Sequence, residues 1–508
     1  MSDRASGILL HPTSLPGRYG IGDLGTWAYR FVDVLAEHDQ GLWQVLPLGP
    51  TSYGDSPYQA LGAFAGNPLL VSLDKLAAHG WLSDTDLADA DFPDENVEFG
   101  NVIPYHFDRL NRAFQNFTAS ASAAQKADFN AWCAVSREWL DDFALFMALK
   151  NAHGGRPWVE WEPELVRRDP AALARANGEL AEAIASIKFA QWQFFTQWGA
   201  LKAYANQRGV QLVGDAPIFV AHDSSDVWAN PNLFYLDENG YPTVIAGVPP
   251  DYFSATGQRW GNPLYRWDVM AEDNYAWWIK RLRQTLATVD MVRIDHFRGF
   301  EAYWEIPASE PTAVVGQWVK GPGAAFFESV QSQLGDLPII AEDLGVITPE
   351  VEALRVGFGL PGMKILQFAW GDMSGEARFL PHNHEPNSVV YSGTHDNNTS
   401  VGWLAEEASP EMRFHINQYL DREAGDIQWE FIRLGEASVA RVFLAPLQDV
   451  LGLGSWARMN LPGRESGNWM WRAAPADFEH NGWDRLQHYT HIYGRALKEP
   501  ADEVTETA

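Results

Sequence analysis

Short apolar stretches recur along the chain, and each ends in turn-forming or polar residues. They are rich in β-branched side chains, which is typical of strands covered on both faces in a parallel sheet. The eight stretches are GILLHP (7–12), WQVLPLGP (43–50), VQLVGDAP (210–217), MVRIDHF (291–297), AYWEIP (302–307), PIIAEDLG (338–345), KILQFAW (364–370) and VVYSGTHDNN (389–398). Segments between them, such as YAWWIKRLRQTLATV, have apolar residues at helical spacing. Eight strands separated by helices predict a (β/α)₈ barrel of the α/β class.

The long gaps between these stretches predict insertions into the barrel. Residues 60–205 have a helical pattern and are far longer than an ordinary barrel connection. Residues 221–285 include a segment rich in Gly, Pro, Asn and aromatic residues, which favours a shaped loop acting as a lid. Residues 400–455 are again mostly helical, and residues 497–508 are predicted to be a flexible tail. We therefore expect one elaborated catalytic barrel over residues 1–508.

The charge of the chain excludes two classes of partner. There are 37 Lys and Arg residues against 66 Asp and Glu residues, a formal net charge of −29. Such a chain repels phosphate backbones and anionic membrane surfaces. We expect neither a nucleic-acid partner nor a membrane partner.

The cysteine content favours a reducing compartment. Cys133 is the single cysteine of the sequence, so it has no internal disulfide partner, and its neighbours FNAWCAVSREWL predict a buried thiol on a helix. The first residues, MSDRASGILLHP, lack the long apolar run of a secretory signal. The predicted location is the cytoplasm.

Aromatic residues are unusually frequent, with 23 tryptophans and 13% aromatic residues in total. Most of these rings are expected to fill a large core. Others are expected to line a groove for a ligand with flat apolar faces, such as a sugar. Composition alone does not separate the two roles.

Acidic residues follow several of the predicted strands. They are Asp215, Asp295, Glu342 and Asp396. Barrel enzymes place their reacting groups at the carboxyl ends of the strands, so these four side chains are expected to converge. The alternative for each is a structural ion pair, with Arg293 and Asp295 as the obvious bridge.

Converging carboxylates suit the chemistry of glycoside cleavage. That reaction uses one carboxylate as nucleophile and a second carboxyl group that its surroundings keep protonated. Arg293 beside Asp295 would keep Asp295 ionised, and the apolar frame PIIAEDLG would raise the pKa of Glu342. Asp343 is expected to point to the opposite side of its strand and ranks below Glu342.

A metal-dependent hydrolase is an alternative on the same fold. Its candidate ligands are His11 and the pairs His222–Asp223, Asp295–His296 and His395–Asp396. The sequence argues mildly against it, because the H-x-H pair that such an enzyme needs at its first strand is missing. The one H-x-H pair, His382 and His384, lies in a loop flanked by prolines.

A glycan-binding protein without catalytic activity is a third alternative. Such a protein would not require an arginine beside the acid of the fourth stretch or an acid at the sixth. Turnover of maltooligosaccharides would distinguish it from an enzyme.

Long segments of the sequence resemble the 4-α-glucanotransferases of the amylomaltase type, glycoside hydrolase family 77 in the α-amylase clan. The segments are GILLHPTSLPGRYGIGDLG, LPLGPTSYGDSPYQALGAFAGNP, GDAPIFVAHDSSDVW, GVPPDYFSATGQRWGNPLY, VRIDHFRGF, AEDLGVITPEV, SGTHDNNT and RMNLPG. The resemblance extends along nearly the whole chain and is to the short form of the family, without an added N-terminal domain or a C-terminal β-sandwich.

This resemblance implies roles for the acidic residues. Asp295 matches the nucleophile, Glu342 the general acid/base, and Asp396 the third carboxylate, which binds ring hydroxyls and stabilises the transition state. Asp215 matches the aspartate that follows the third strand throughout the clan.

The resemblance also implies substrate-binding residues. Besides Asp215 these are Arg293, His395, Trp260 in the lid, Tyr53, Tyr58, Ser56 and Asp251. His296 is expected to be structural or to contact the acceptor. Tyr53 and Tyr58 have a structural alternative, since an aromatic ring beside Gly-Asp also anchors a loop.

The implied reaction is retaining transfer of α-1,4-glucan segments to the 4-hydroxyl of an acceptor glucose or glucan. The expected partners are maltooligosaccharides and starch chains, with no cofactor and no metal. The alternative within this chemistry is a hydrolytic enzyme similar to α-amylase. The sequence leaves open whether the enzyme is a monomer or a homodimer, which donor lengths it prefers and whether it makes cyclic glucans.

Overall fold

The computed structural model describes residues 4–250, 254–372, 374–464 and 466–497. Its strands are β1 Ala5–Leu9, β2 Leu42–Gln44, β3 Gln211–Pro217, β4 Val244–Val248, β5 Gln258–Pro263, β6 Met291–Asp295, β7 Ala302–Pro307, β8 Gln317–Lys320, β9 Ile339–Ala341, β10 Gly362–Ile365, β11 Ser388–Tyr391 and β12 Val442–Pro446.

The helices surround these strands and build the insertions. They are α1 Thr26–Glu37, α2 Leu73–Ala78, α3 Asp84–Leu87, α4 Phe99–Ser120, α5 Ala123–Ala152, α6 Pro163–Val166, α7 Pro170–Glu179, α8 Ala181–Gln207, α9 Ser225–Ala229, α10 Trp267–Glu272, α11 Ala276–Thr288, α12 Gly323–Leu334, α13 Pro349–Gly357, α14 Ser400–Gly402, α15 Pro410–Leu420, α16 Ile427–Ala437, α17 Leu447–Leu451 and α18 Gly482–Ile492. Within the described ranges, no helix combines the length and the apolar character that a membrane span needs.

Eight parallel strands form a nearly closed barrel, which confirms the predicted fold. Their order around the barrel is β10, β11, β12, β1, β2, β3, β6 and β9. The ring closes between β9 and β10, where the Ala341 backbone N–H donates to the Pro361 carbonyl at 2.9 Å. Seven of the eight predicted stretches overlap barrel strands.

The prediction that residues 302–307 form a barrel strand is wrong. Strand β7 belongs to a separate antiparallel sheet with the order β5, β4, β7, β8. The missing barrel strand is β12, which pairs with β1 and β11 and lies inside residues 400–455, a segment predicted as a helical insertion. All five residues of β12 are buried, as is typical of a strand covered on both faces, whereas three of the six residues of β7 are partly exposed.

Apolar side chains fill the interior of the barrel. They include Leu42, Val213, Met291, Ile340, Met363, Ile365, Val389, Tyr391, Val442 and Leu444. Burying each aliphatic side chain of this kind stabilises the fold by about 1.5–3 kcal/mol. The interior is therefore a packed core, and polar side chains on the same strands collect at its ends.

The insertions pack against this barrel. Residues 60–205 contain the long helices α4, α5 and α8. Aromatic rings pack between α4 and α8, for example Phe114 against Phe189 at 5.8 Å and Phe117 against Trp192 at 5.6 Å between ring centroids. Residues 221–285 contain β4 and β5 as well as α9, α10 and the first part of α11. Of the predicted tail, residues 497–508, all but the first lie outside the described residues.

Candidate active site

A buried arginine organises the carboxyl end of the barrel. Side chains alternate along β6, so Arg293 and Asp295 continue the inward-facing row that starts at Met291 in the barrel core. Arg293 Nη1 donates to both carboxylate oxygens of Asp215, at 2.8 and 2.7 Å, and Nη2 donates to Asp295 Oδ1 at 2.8 Å. Their two negative charges raise the pKa of Arg293 well above its usual value, against the effect of burial. This guanidinium therefore stays charged and holds both carboxylates.

The two carboxylates bound by Arg293 differ in their exposure. The Asp215 side chain is fully buried, whereas 31% of the Asp295 side chain is exposed. Burial raises the pKa of Asp215 to about 7, although Arg293 favours its ionised form. Asp215 thus holds Arg293 in place from a buried position, whereas the carboxylate of Asp295 is accessible from the cleft.

Tyr58 joins Asp215 on β3 to His395, which follows β11. Its hydroxyl donates to Asp215 Oδ2 at 2.8 Å, and its ring stacks on His395 with centroids 5.1 Å apart. Burial and the nearby carboxylates raise the pKa of Tyr58 well above its usual value, so the phenol stays protonated and donates. Ser56, two residues earlier, accepts a hydrogen bond from the Tyr58 backbone N–H at 3.2 Å and shapes this turn.

Glu342 follows β9, and its carboxyl group is held by backbone donors. Oε2 accepts from the N–H of His296 at 2.7 Å, and Oε1 accepts from the N–H of Leu344 at 2.8 Å. Burial raises the pKa of Glu342 to about 7, and the charge of Asp295 adds to the rise. Such a carboxyl group binds and releases a proton near neutral pH, as a general acid/base must. Asp343 has other partners, Arg378 and the Met363 backbone N–H.

His296 has the left-handed backbone conformation, with φ 54° and ψ 47°. This conformation is unfavourable for a residue with a side chain, and here it coincides with the hydrogen bond from the His296 N–H to Glu342. The His296 ring is buried, which lowers its pKa to about 3, so the imidazole is neutral. Trp260 on β5 packs edge to face on this ring with centroids 4.8 Å apart. Trp260, the residue predicted to be in the lid, therefore contacts the turn that follows Asp295 and that donates a backbone hydrogen bond to Glu342.

Asp396 follows β11 and is the most exposed of the three proposed catalytic carboxylates, with 45% of its side chain accessible. Asn460 Nδ2 donates to its Oδ1 at 2.7 Å, and His395 Nε2 lies 3.4 Å from its Oδ2. Arg458 Nη2 donates to the Asp396 backbone carbonyl at 2.7 Å. Burial lowers the pKa of His395.

Asn460 and Arg458 were not among the predicted site residues. They lie in RMNLPG, a segment that the resemblance includes without assigning a role. The resemblance of that segment to the family was the one sequence feature that pointed to these two residues. The contacts with Asp396 span more than 60 positions of the sequence, so no local pattern could reveal them.

The remaining two predicted substrate-binding residues are Tyr53 and Asp251. Tyr53 is 65% exposed, on the turn that precedes Ser56. Asp251 lies outside the described residues.

The structure does not gather the side chains proposed for a metal site into one group. His222 contacts the Gly240 carbonyl, Asp223 pairs with Lys150, and His11 Nδ1 accepts from the Leu46 N–H. Across the part of the chain that the structure describes, no three His, Cys, Asp or Glu side chains are grouped as metal ligands.

Comparison with known proteins places the chain in one family. The family model described as 4-alpha-glucanotransferase, glycoside hydrolase family 77, matches residues 10–477. A 4-alpha-glucanotransferase of Thermus thermophilus is 54% identical over 492 residues, which cover 95% of this chain and 97% of the relative. One from Synechocystis is 50% identical over 504 residues, 98% of this chain and 99% of the relative.

A solved structure agrees with this assignment. The amylomaltase of Streptococcus agalactiae in complex with acarbose superposes with a TM-score of 0.94 at 41% identity, covering 97% of this chain and all of that one. The chain, whose barrel gathers Asp295, Glu342 and Asp396 at its carboxyl end, therefore belongs to the 4-alpha-glucanotransferase family and is a glycosyl-transferring enzyme of the amylomaltase type.

Proposed function

We propose that the enzyme transfers segments of α-1,4-glucan from a donor maltooligosaccharide or starch chain to the 4-hydroxyl of an acceptor glucose or glucan, with retention at the anomeric carbon. The observation that carries this proposal is the pairing of two unlike carboxyl groups. Arg293 binds the partly exposed Asp295 at 2.8 Å, while burial raises the pKa of Glu342 to about 7. A charged carboxylate beside a protonated one is what a retaining mechanism needs.

In the first step, Asp295 attacks the anomeric carbon of the donor. The glycosidic bond breaks, and its electron pair goes to the oxygen of the leaving chain, which takes the proton of Glu342. The product is a glycosyl ester on Asp295, and Glu342 is left as a carboxylate. Arg293 keeps one oxygen of Asp295 in place during the attack.

In the second step, Glu342 acts as a base. It removes the proton of the acceptor 4-hydroxyl, whose oxygen attacks the anomeric carbon while the ester bond to Asp295 breaks. Two inversions restore the α configuration and return both carboxyl groups to their starting states. Each step uses only side chains of the enzyme, so the proposal requires no cofactor and no metal.

We assign Asp396 to the donor sugar. Asn460 and His395 flank its carboxylate, which leaves it oriented toward the cleft as an acceptor for ring hydroxyls. Hydrogen bonds of this kind strengthen as the ring flattens toward the oxocarbenium-like transition state.

We assign Trp260 to the shielding of the intermediate. A glycosyl ester facing bulk water would hydrolyse, so transfer depends on closure over the reacting sugars. Trp260 packs on His296, beside the backbone N–H that binds Glu342. Its ring is therefore placed to exclude water and to hold the acceptor in attack geometry.

Incubation with maltotriose alone tests the proposal. Transfer gives glucose and a ladder of longer maltooligosaccharides, while the total number of reducing ends stays nearly constant. A rise in reducing ends in step with the loss of maltotriose would mean hydrolysis and would contradict the proposal. Absence of any turnover would favour a binding protein, and activity lost to a chelator and restored by one divalent cation would favour the metal-dependent alternative.

A cytoplasmic location remains part of this proposal. It rests on the single cysteine of the chain, which suits a reducing compartment.

A further inference from the structure

The four-stranded sheet contacts the turn after Asp295 at both of its edges. On edge strand β5, Trp260 packs against His296. On the opposite edge strand β8, Trp318 covers the guanidinium of Arg298, whose central carbon lies 3.7 Å from the ring centroid. The first contact belongs to the site described above, whereas the second has no assigned role.

Contacts on several sides fix the orientation of the Trp318 ring. Trp304 lies directly opposite it on β7, with ring centroids 5.3 Å apart and planes at 66°. Trp304 is itself anchored, because its Nε1 donates to the Ala313 carbonyl at 3.0 Å. Although it is held in this way, Trp318 remains 40% exposed. It therefore presents a preoriented aromatic surface to solvent.

Three exposed valines lie near Trp318, two of them along the chain and one through Arg298. Val314 and Val315 lie in the segment that leads into β8, and Val346 lies beside Arg298. Each of the three valines is more than half exposed. We call Val314, Val315, Trp318 and Val346 the Trp318 ledge. A group of exposed apolar residues of this kind is typical of a binding surface.

Arg298 connects the ledge to the segments that follow the catalytic carboxylates. Arg298 is three residues beyond Asp295, a separation that spans at most about 10 Å of chain. Its Nη1 donates to the backbone carbonyl of Val346, which is four residues beyond Glu342. The ledge thus adjoins the Glu342 side of the cleft, where the leaving chain departs and the acceptor enters.

We propose that the Trp318 ledge binds the distal sugars of long α-1,4-glucan chains on the acceptor side of the cleft, an inference that rests on the proposed function. Glucose rings have flat C–H faces that stack on an indole ring and on apolar side chains. The glucan chain carries no charge, so it is not repelled by an enzyme with a net charge of −29. Its continuity with the cleft allows one chain to occupy both the catalytic centre and the ledge.

A protein strand added to edge strand β8 is the less suitable occupant. This strand has only four residues, and it carries Lys320, which pairs with Glu301. Short edge strands with a lysine disfavour pairing with another strand. The ledge is also flanked by polar groups, such as Gln317, whose Nε2 donates to Glu305 Oε1 at 2.9 Å.

Radiolabelled glucose and radiolabelled maltohexaose, used separately as acceptors with unlabelled starch as donor, test this inference. In Trp318→Ala, KM for maltohexaose is expected to rise about threefold to tenfold, the effect of losing one aromatic contact. KM for glucose, which is too short to reach the ledge, is expected to change less than twofold. Trp318→Phe keeps a smaller ring and should give an intermediate rise for maltohexaose.

Phe414→Ala is the matched control. Phe414 is a 57% exposed aromatic residue on α15, outside the ledge and the site, so its loss should move neither KM. The ratio of the two KM values distinguishes a lost contact with the glucan from a disturbed catalytic centre. A disturbed Arg298–Val346 contact would impair Glu342 and would therefore affect both acceptors equally.

Three outcomes would overturn the inference: an unchanged KM for maltohexaose in Trp318→Ala, a parallel change for both acceptors, or a change of oligomeric state in sedimentation at assay concentrations. The last would mean that a second copy covers the ledge. Failure of the parent enzyme to elongate labelled glucose would instead overturn the proposed function, so the two failures are distinguishable.

Discussion

The two ends of the barrel are each built around a buried arginine and its carboxylates. At the carboxyl end, Arg293 binds Asp215 and Asp295. At the amino end, Arg495 lies 3.3 Å from Glu436, and both side chains are completely buried. The residue types are alike at the two ends, but the access of their carboxylates to solvent differs.

At the amino end, the polar groups serve the fold. Arg495 donates to the backbone carbonyls of Ala5 at 3.1 Å and of Arg441 at 2.9 Å, where β1 and β12 begin. Glu436 accepts hydrogen bonds from Ser6 at 2.7 Å and from Thr490 at 3.2 Å. This cluster therefore ties the end of the described chain to the first and last strands of the barrel.

At the carboxyl end, one partner of the arginine is left accessible. Asp215 is buried like Glu436, but Asp295 keeps about a third of its side chain exposed. The comparison teaches that a buried arginine stabilises whatever carboxylate it binds, and that solvent access decides whether this carboxylate is available for chemistry. Substitutions at the two ends should therefore affect different quantities.

The largest expected effect is on turnover at the carboxyl end. Asp295→Asn and Glu342→Gln should each lower kcat roughly 10⁴-fold or more, because nucleophile and acid act as a unit. Thermal unfolding should change little in Asp295→Asn, since the amide oxygen still accepts from Arg293. Maltotriose turnover and circular dichroism measure the two quantities. Parental turnover in a folded Asp295→Asn protein would remove Asp295 from the mechanism.

The next largest effect is on stability at the amino end. Arg495→Met should lower the free energy of unfolding by about 3–5 kcal/mol, because the buried Glu436 loses its salt-bridge partner and backbone carbonyls lose their donor. The kcat of the folded fraction should stay at the parental value. Denaturant titration measures the loss, and a fall in kcat of similar size would show that the two ends are coupled.

Arg30→Met provides the control for this loss. Arg30 pairs with Glu37 at 2.8 Å on the surface, where both side chains are well exposed. Removing an exposed pair of this kind should cost less than about 1 kcal/mol. An equal loss in both variants would mean that burial does not distinguish the Arg495 pair.

The smallest expected effect is on pH dependence. Burial raises the pKa of both Glu342 and Glu436 to about 7, but the two groups should affect different quantities. Glu342 must be protonated for the first step, so kcat/KM should fall about tenfold for each pH unit above 7. Fluoride release from α-maltotriosyl fluoride, whose leaving group needs no proton, should lack this falling limb. If kcat/KM for the fluoride donor also falls above pH 7, the fall would have to come from a group other than Glu342.

Glu436 should instead affect the pH dependence of stability. Its pKa is raised from 4.5 in the unfolded chain, so the folded state binds the proton more tightly. Its contribution to stability is therefore fully present below pH 4.5 and is lost as the pH rises through about 7. Denaturant titration across this range should show that Glu436→Gln removes this part of the decline and leaves the kcat/KM limb in place.

Much of the fold could be predicted from local pattern. The inward row of β6 runs from Met291 to Asp295, and an apolar run that ends in charge already indicates a barrel strand that delivers a functional group. The same reasoning placed Glu342 and Asp396 at strand ends, where the structure has them. The sequence did not predict β12, because its five residues lie among helical segments. It predicted β7 as a barrel strand instead, because a short apolar run does not determine which sheet the strand joins.

The alternation of strands and helices, most of the carboxylate-bearing strand ends and the family resemblance were determined by the sequence itself, because side-chain periodicity and strand-end residues are local properties. Only the tertiary structure decided that Arg293 binds Asp215 as well as Asp295, that Asn460 orients Asp396, and that Trp318 stands over Arg298. The reason is physical: apart from the Arg293–Asp295 pair, these contacts join positions 20 to 78 residues apart, and they form only once the barrel has closed and the small antiparallel sheet has packed on its carboxyl end.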